Sequence, residues 1–70
     1  MSHEWSDERA RQLYLTATDA SFGEERKEAI KGLGRLARNN VADAAWALGD
    51  LARNARFPEE RMLANQELSK

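Results

Sequence analysis

Apolar positions recur at spacings of three and four along nearly the whole chain, without the strict alternation of a half-buried strand. Ala10, Leu13, Ala17 and Ala20 form a narrow stripe that predicts a first helix over 7–19, with Ser6, Asp7 and Glu8 supplying its cap and acidic first turn. Ser21-x-x-Glu24 has capping-box form and opens a second helix over 22–38, whose apolar face is Ala29, Ile30, Leu33, Leu36 and Ala37. Asn40 is placed to cap a third helix over 41–55. Its apolar residues Val41, Ala44, Ala45, Leu48, Leu51, Ala52 and Ala55 cover well over a third of the circumference, as expected of a central helix packed on more than one side. Phe57-Pro58-Glu59-Glu60 starts a fourth helix over 58–68, because proline lacks only an amide hydrogen that would be unpaired there and the glutamates meet the positive helix end. Met62, Leu63 and Leu68 are its expected anchors. The pattern as a whole predicts an all-α fold: one domain over 1–70, a small bundle of about four helices, with 1–5 and 68–70 frayed.

An eleven-residue pattern occurs twice at an offset of fifteen: Ala29-x-x-x-Leu33-Gly34-x-Leu36-Ala37-Arg38-Asn39 and Ala44-x-x-x-Leu48-Gly49-x-Leu51-Ala52-Arg53-Asn54. It places a leucine beside a glycine at equivalent heights on the second and third helices. Glycine inside a helix costs up to ~1 kcal/mol relative to alanine, so Gly34 and Gly49 call for an offsetting gain. One reading is close approach of the two helices, making Gly34, Gly49, Leu33 and Leu48 structural residues of a central antiparallel hairpin; the other is a weak or kinked helix at Gly32-x-Gly34.

Residues 24–56, about half of the chain, resemble helices of HEAT and armadillo repeats through Glu28-Ala29-Ile30-Lys31-Gly32-Leu33-Gly34-Arg35-Leu36 and Ala44-Ala45-Trp46-Ala47-Leu48-Gly49-Asp50-Leu51. The resemblance implies a HEAT-like antiparallel pair. In armadillo importers a tryptophan followed four residues later by asparagine lines a peptide groove. The matching pair here is Trp46 and Asp50, where the aspartate offers acceptors in place of amide donors. The fifteen-residue offset repeats one helix, whereas a repeat unit of those families has two or three helices over about 40 residues, so the expectation is a bundle and not a solenoid.

Composition narrows the chemistry. A net charge of −1 with interspersed signs is not a nucleic-acid or membrane footprint, no apolar run approaches a membrane span, and the first residues lack the basic and then apolar regions of a secretory signal, which leads to the expectation of a cytoplasmic protein. The chain has no cysteine to staple a thin core. His3 is the one histidine and falls in the stretch expected to fray, while Glu24, Glu25, Glu28, Glu59 and Glu60 are explained by helix starts; no catalytic residue, cofactor site or metal site is predicted.

Two surfaces are candidates for partner binding. Trp46 either packs in the core or serves as an aromatic anchor rimmed by Asp43, Asp50 and Arg53, with Trp5, Tyr14 and Leu15 extending it. Lys27, Lys31, Arg35 and Arg38 share one face of the second helix, either as a solvated stripe or as a docking face for an acidic partner. The expected function is noncatalytic protein binding as a small inhibitor, adaptor or regulatory subunit, with homodimerisation completing the core. The alternative is a nucleic-acid-associated regulator using the basic stripe, which Asp43 and Asp50 on the third helix disfavour.

Overall fold

The computed structural model describes residues 3–70 and is all-α, with α1 at Glu8–Asp19, α2 at Gly23–Arg38, α3 at Ala42–Asn54 and α4 at Pro58–Ser69. α1 packs on α2 and α3 on α4, and the two hairpins stack through α1 on α3 and α2 on both α3 and α4. Among the described residues α1 and α4 do not pack together, which leaves α2 and α3 as the central antiparallel pair. Polar contacts fix the directions. Asp43 at the start of α3 meets Ser6 and Asp7 at the start of α1, and Arg26 and Arg38 near the two ends of α2 meet Glu60 and Glu67 near the corresponding ends of α4. Like helices of the two hairpins therefore run parallel.

This stacking exposes a sequence period of 35 residues. Ala20-x-Phe22-x-Glu24-Glu25-Arg26 returns as Ala55-x-Phe57-x-Glu59-Glu60-Arg61, each spanning a hairpin's connection and the start of its second helix. Ala10, Leu13, Ala17, Ala29 and Leu33 return as Ala45, Leu48, Ala52, Ala64 and Leu68. The two connections are built alike: Arg26 Nη1 donates to the Ala20 carbonyl at 2.8 Å, and Arg61 Nη1 to the Ala55 carbonyl at 2.6 Å. The structural unit is thus a helical hairpin present twice. The fifteen-residue offset relates the second helix of one unit to the first helix of the next.

Ile30, Leu33, Leu48 and Leu51 are the largest fully buried side chains, surrounded by Ala10, Ala17, Ala29, Ala44, Ala47 and Ala64. Such small residues let the helices approach closely. Gly34 does so most tightly, but against α4 and not α3: a Cβ there would overlap the Glu67 carboxylate and lie 2.8 Å from its Cδ and 3.1 Å from its Cβ. Gly49 is half-buried, and the one atom near its missing Cβ is Arg53 Nη1 of its own helix at 3.6 Å. The expected Gly34–Gly49 approach is replaced by a Gly34–Glu67 approach, because the repeated glycines belong to different helices of their units. α2 runs unbroken through Gly32, over which Leu13 of α1 lies.

Helix ends differ from expectation in instructive ways. Asp7, not Ser6, caps α1, accepting from the amides of Arg9 and Ala10 at 2.9 and 3.2 Å. Ser21 does not cap α2, which starts at Gly23 after Phe22. Asn40 takes φ 67°, a left-handed conformation that asparagine tolerates, and closes α2 in place of capping α3. The Asn40 amide donates to the Ala37 carbonyl and the Val41 amide to the Leu36 carbonyl, both at 3.0 Å, which is a Schellman motif. α4 is anchored by Ala64, Leu63 and two buried carboxylates, Glu60 and Glu67, while Met62 and Leu68 face outward. The ends expected to fray are also engaged: His3 and Trp5 pack on α3, and Lys70 donates to Glu67 at 3.0 Å. Met1 and Ser2 lie outside the described residues.

Candidate functional site

The predicted Trp46 surface is assembled, but its polar rim is turned inward. Asp43 is 7% exposed; its Oδ1 accepts from His3 Nε2 at 2.7 Å and its Oδ2 from the amides of Ser6 and Asp7 at 2.6 and 2.7 Å. The His3 bond first, then the Asp7 amide, hold its carboxyl below the usual aspartate range against the opposing effect of desolvation. The His3 ring stacks on Trp46 at a centroid distance of 4.0 Å and 10° between planes, and Trp5 meets Trp46 edge-on at 5.5 Å. Tyr14 packs beside them at 5.7 Å from Trp46 and donates to Asp50 Oδ2 at 2.6 Å; burial and then that bond push the phenol up to about 12. Asp50 Oδ1 accepts from Asn54. Trp46, Asp43 and Asp50 thus fasten the N-terminal segment and α1 to α3, and of the four predicted residues Arg53 alone is exposed.

The basic stripe is partly neutralised and partly covered. Lys27 and Lys31 pair with Glu24 and Glu28 one turn earlier at 3.6 and 3.7 Å, exposed pairs of little energetic weight. Arg38 instead reaches α4, where Glu67 is buried between Arg38 at 3.1 Å and Lys70 at 3.0 Å. Burial would raise the Glu67 carboxyl, yet the two cations outweigh it and hold the group below the usual glutamate range. Arg35 projects toward α1 and lines a groove on the other side of α2.

Arg26, not among the predicted site residues, is the polar tie between α2 and the start of α4. Its Nε and Nη2 grip both oxygens of buried Glu60 at 2.9 and 3.1 Å, a third nitrogen bonds the Ala20 carbonyl, and its guanidinium lies 4.8 Å over the Phe57 ring. It lines a polar cleft of about 470 Å³ with Tyr14, Asp50, Asn54 and Glu60. Those groups already bond one another, so the cleft presents spent chemistry. Nothing within either hairpin alone marks the Arg26–Glu60 pair; the 35-residue repeat would have placed both residues on equivalent turns.

A second concavity is an open groove of about 820 Å³ between α1 and α2. Leu13, Ala20 and Ala29 contribute its apolar floor with Leu15 at the edge, while Asp19, Glu24, Glu25 and Glu28 give it an acidic rim opposed by Arg35. Leu15 is 37% exposed. An apolar floor with charged edges supplies nonpolar burial and orientation, and it holds no arranged nucleophile and base. No helix among the described residues is long and apolar enough to cross a membrane. No protein-family model, curated protein or solved structure matches the chain.

Proposed function

We propose that the chain is a noncatalytic protein-binding module that acts as a small inhibitor, adaptor or regulatory subunit. The observation that carries this reading is the α1/α2 groove, where apolar side chains lie open between two helices and are bordered by four carboxylates. Water released from such a floor drives association, and the rim selects orientation and partner charge. The binding surface is thereby moved from the Trp46 face, whose groups hold the molecule together, to the opposite side of α1.

The test is an affinity pull-down with wild type and two folded variants, Leu15→Lys in the groove and Lys27→Glu/Lys31→Glu on the stripe. A stoichiometric protein retained after nuclease treatment, lost with Leu15→Lys and kept by the stripe variant, supports the reading. Recovery of nucleic acid alone, lost with the stripe variant, overturns it in favour of a nucleic-acid-associated regulator.

A further inference from the structure

Each hairpin of a stacked pair has one face turned toward its neighbour and one turned away. The face of the second hairpin that receives the first contains Leu48, Leu51, Ala55 and Ala64, all buried. Thirty-five residues earlier their equivalents are Leu13, Thr16, Ala20 and Ala29, which line the open α1/α2 groove. The groove is therefore the receiving face of the first hairpin without a hairpin on it. Its key polar residue is also present: Glu60, which accepts Arg26 across the stack, corresponds to Glu25 on the groove rim.

The complementary face is on the same chain. The first hairpin presents Ala10, Ala17, Leu33 and Arg26 to the second; their equivalents Ala45, Ala52, Leu68 and Arg61 are half-buried or exposed on the second hairpin. Arg61 already makes the carbonyl bond that Arg26 makes, while its Nε and Nη2, the atoms with which Arg26 grips Glu60, take no partner among the described residues. Leu68 is 42% exposed. Gly49 stands where the first hairpin has Tyr14, and it leaves that face flat.

We infer that the α1/α2 groove of one copy receives the outer face of α3/α4 of a second copy, with Arg61 gripping the second chain's Glu25 as Arg26 grips Glu60, so that the molecules associate head to tail. The inference rests on the reading of the groove as a protein-binding face and names its occupant. A unit that buries its apolar face by stacking gains stability from each added neighbour. The interface is heterologous: it joins two different surfaces, and a growing stack closes only if its rotation returns to the start. Pairing two grooves would set four carboxylates against four, with one Arg35 on each side to offset them, so the rims disfavour it.

Sedimentation velocity over a concentration series tests this, with circular dichroism as the fold control. Wild type should show a mass that rises with concentration. Glu25→Arg and Arg61→Glu should each shift the association midpoint by at least about tenfold, because like charges then meet. An equimolar mixture of the two variants should recover association, as should the double variant, since every junction again joins opposite charges. A monomer at all concentrations, association indifferent to both reversals, or loss without recovery on mixing overturns the inference. A monomer whose pull-down still depends on Leu15 leaves the groove as a site for another protein, whereas a head-to-tail associating chain with an empty pull-down removes the adaptor reading instead.

Discussion

The two hairpins share a plan and differ in what their charges are used for. In the first, Arg26 gives three nitrogens to fixed acceptors and Glu25 lies exposed; in the second, Arg61 gives one nitrogen to backbone carbonyls and Glu60 is buried under Arg26. The same Glu-Glu-Arg turn is structural on one side of the junction and open on the other. Position in a stack, more than residue type, decides whether a surface charge becomes a core component.

Removing the paired arginine should produce the largest asymmetry. Arg26→Ala leaves Glu60 buried without its cation and should cost about 3–5 kcal/mol in urea denaturation of the monomer, whereas Arg61→Ala should cost less than about 1 kcal/mol. Equal losses would dissolve the distinction between the hairpins. Next, Leu48→Ala should cost about 2–5 kcal/mol and its equivalent Leu13→Ala less than half as much, because Leu48 is fully buried at the junction and Leu13 is half-exposed beside the groove.

Glycine substitutions sharpen the contrast with opposite signs. Gly34→Ala drives a methyl into the Glu67 side chain and should destabilise by about 1–3 kcal/mol, while Gly49→Ala meets only an ordinary contact with Arg53 Nη1 at 3.6 Å and should stabilise by up to about 1 kcal/mol. Thermal melts of dilute protein would show melting temperatures moving apart. The smallest effect concerns acid. Asp43 corresponds to Glu8, which is exposed on α1, and the folded Asp43 carboxyl sits below its ordinary value of 3.8. A depressed folded value means that its stabilising contribution is complete above the unfolded range and is lost as pH falls through the folded value. Asp43→Asn should flatten the acid side of the stability profile below about pH 4.

Helical periodicity placed every helix within about one residue of its observed ends, and the leucines it put inside, Leu33 and Leu48, are fully buried. Periodicity reports each helix's apolar side and is silent on which neighbour meets its polar side. Glu60 therefore reads as a helix start and Glu67 as an unassigned position beside a frayed end, although each is 3% exposed. The 35-residue period was legible in Ala-x-Phe-x-Glu-Glu-Arg, but its ten shared positions are scattered over residues 10–33, whereas the fifteen-residue match concentrates seven within eleven residues. It reflects a shared need for small residues and leucine on helices buried on several sides. Asp43 lies in the first turn of α3 and reads in the sequence as a rim residue beside Trp46, yet its bonds to residues 36 and 37 positions earlier depend on α1 lying alongside, which no local pattern encodes.

Those bonds bear on how the molecule comes apart. The amides of Ser6 and Asp7 precede any helix, and by position in the chain they would exchange with solvent deuterium almost freely; instead, both close on one oxygen of a carboxylate at the head of α3. Releasing them gives up two short bonds to a carboxylate at once, so the N-terminal segment is tied to α3 through charge-assisted donors. The first segment and the third helix should exchange as one cooperative unit, with the weakest stretch of α1 sharing the protection of the centre of the fold.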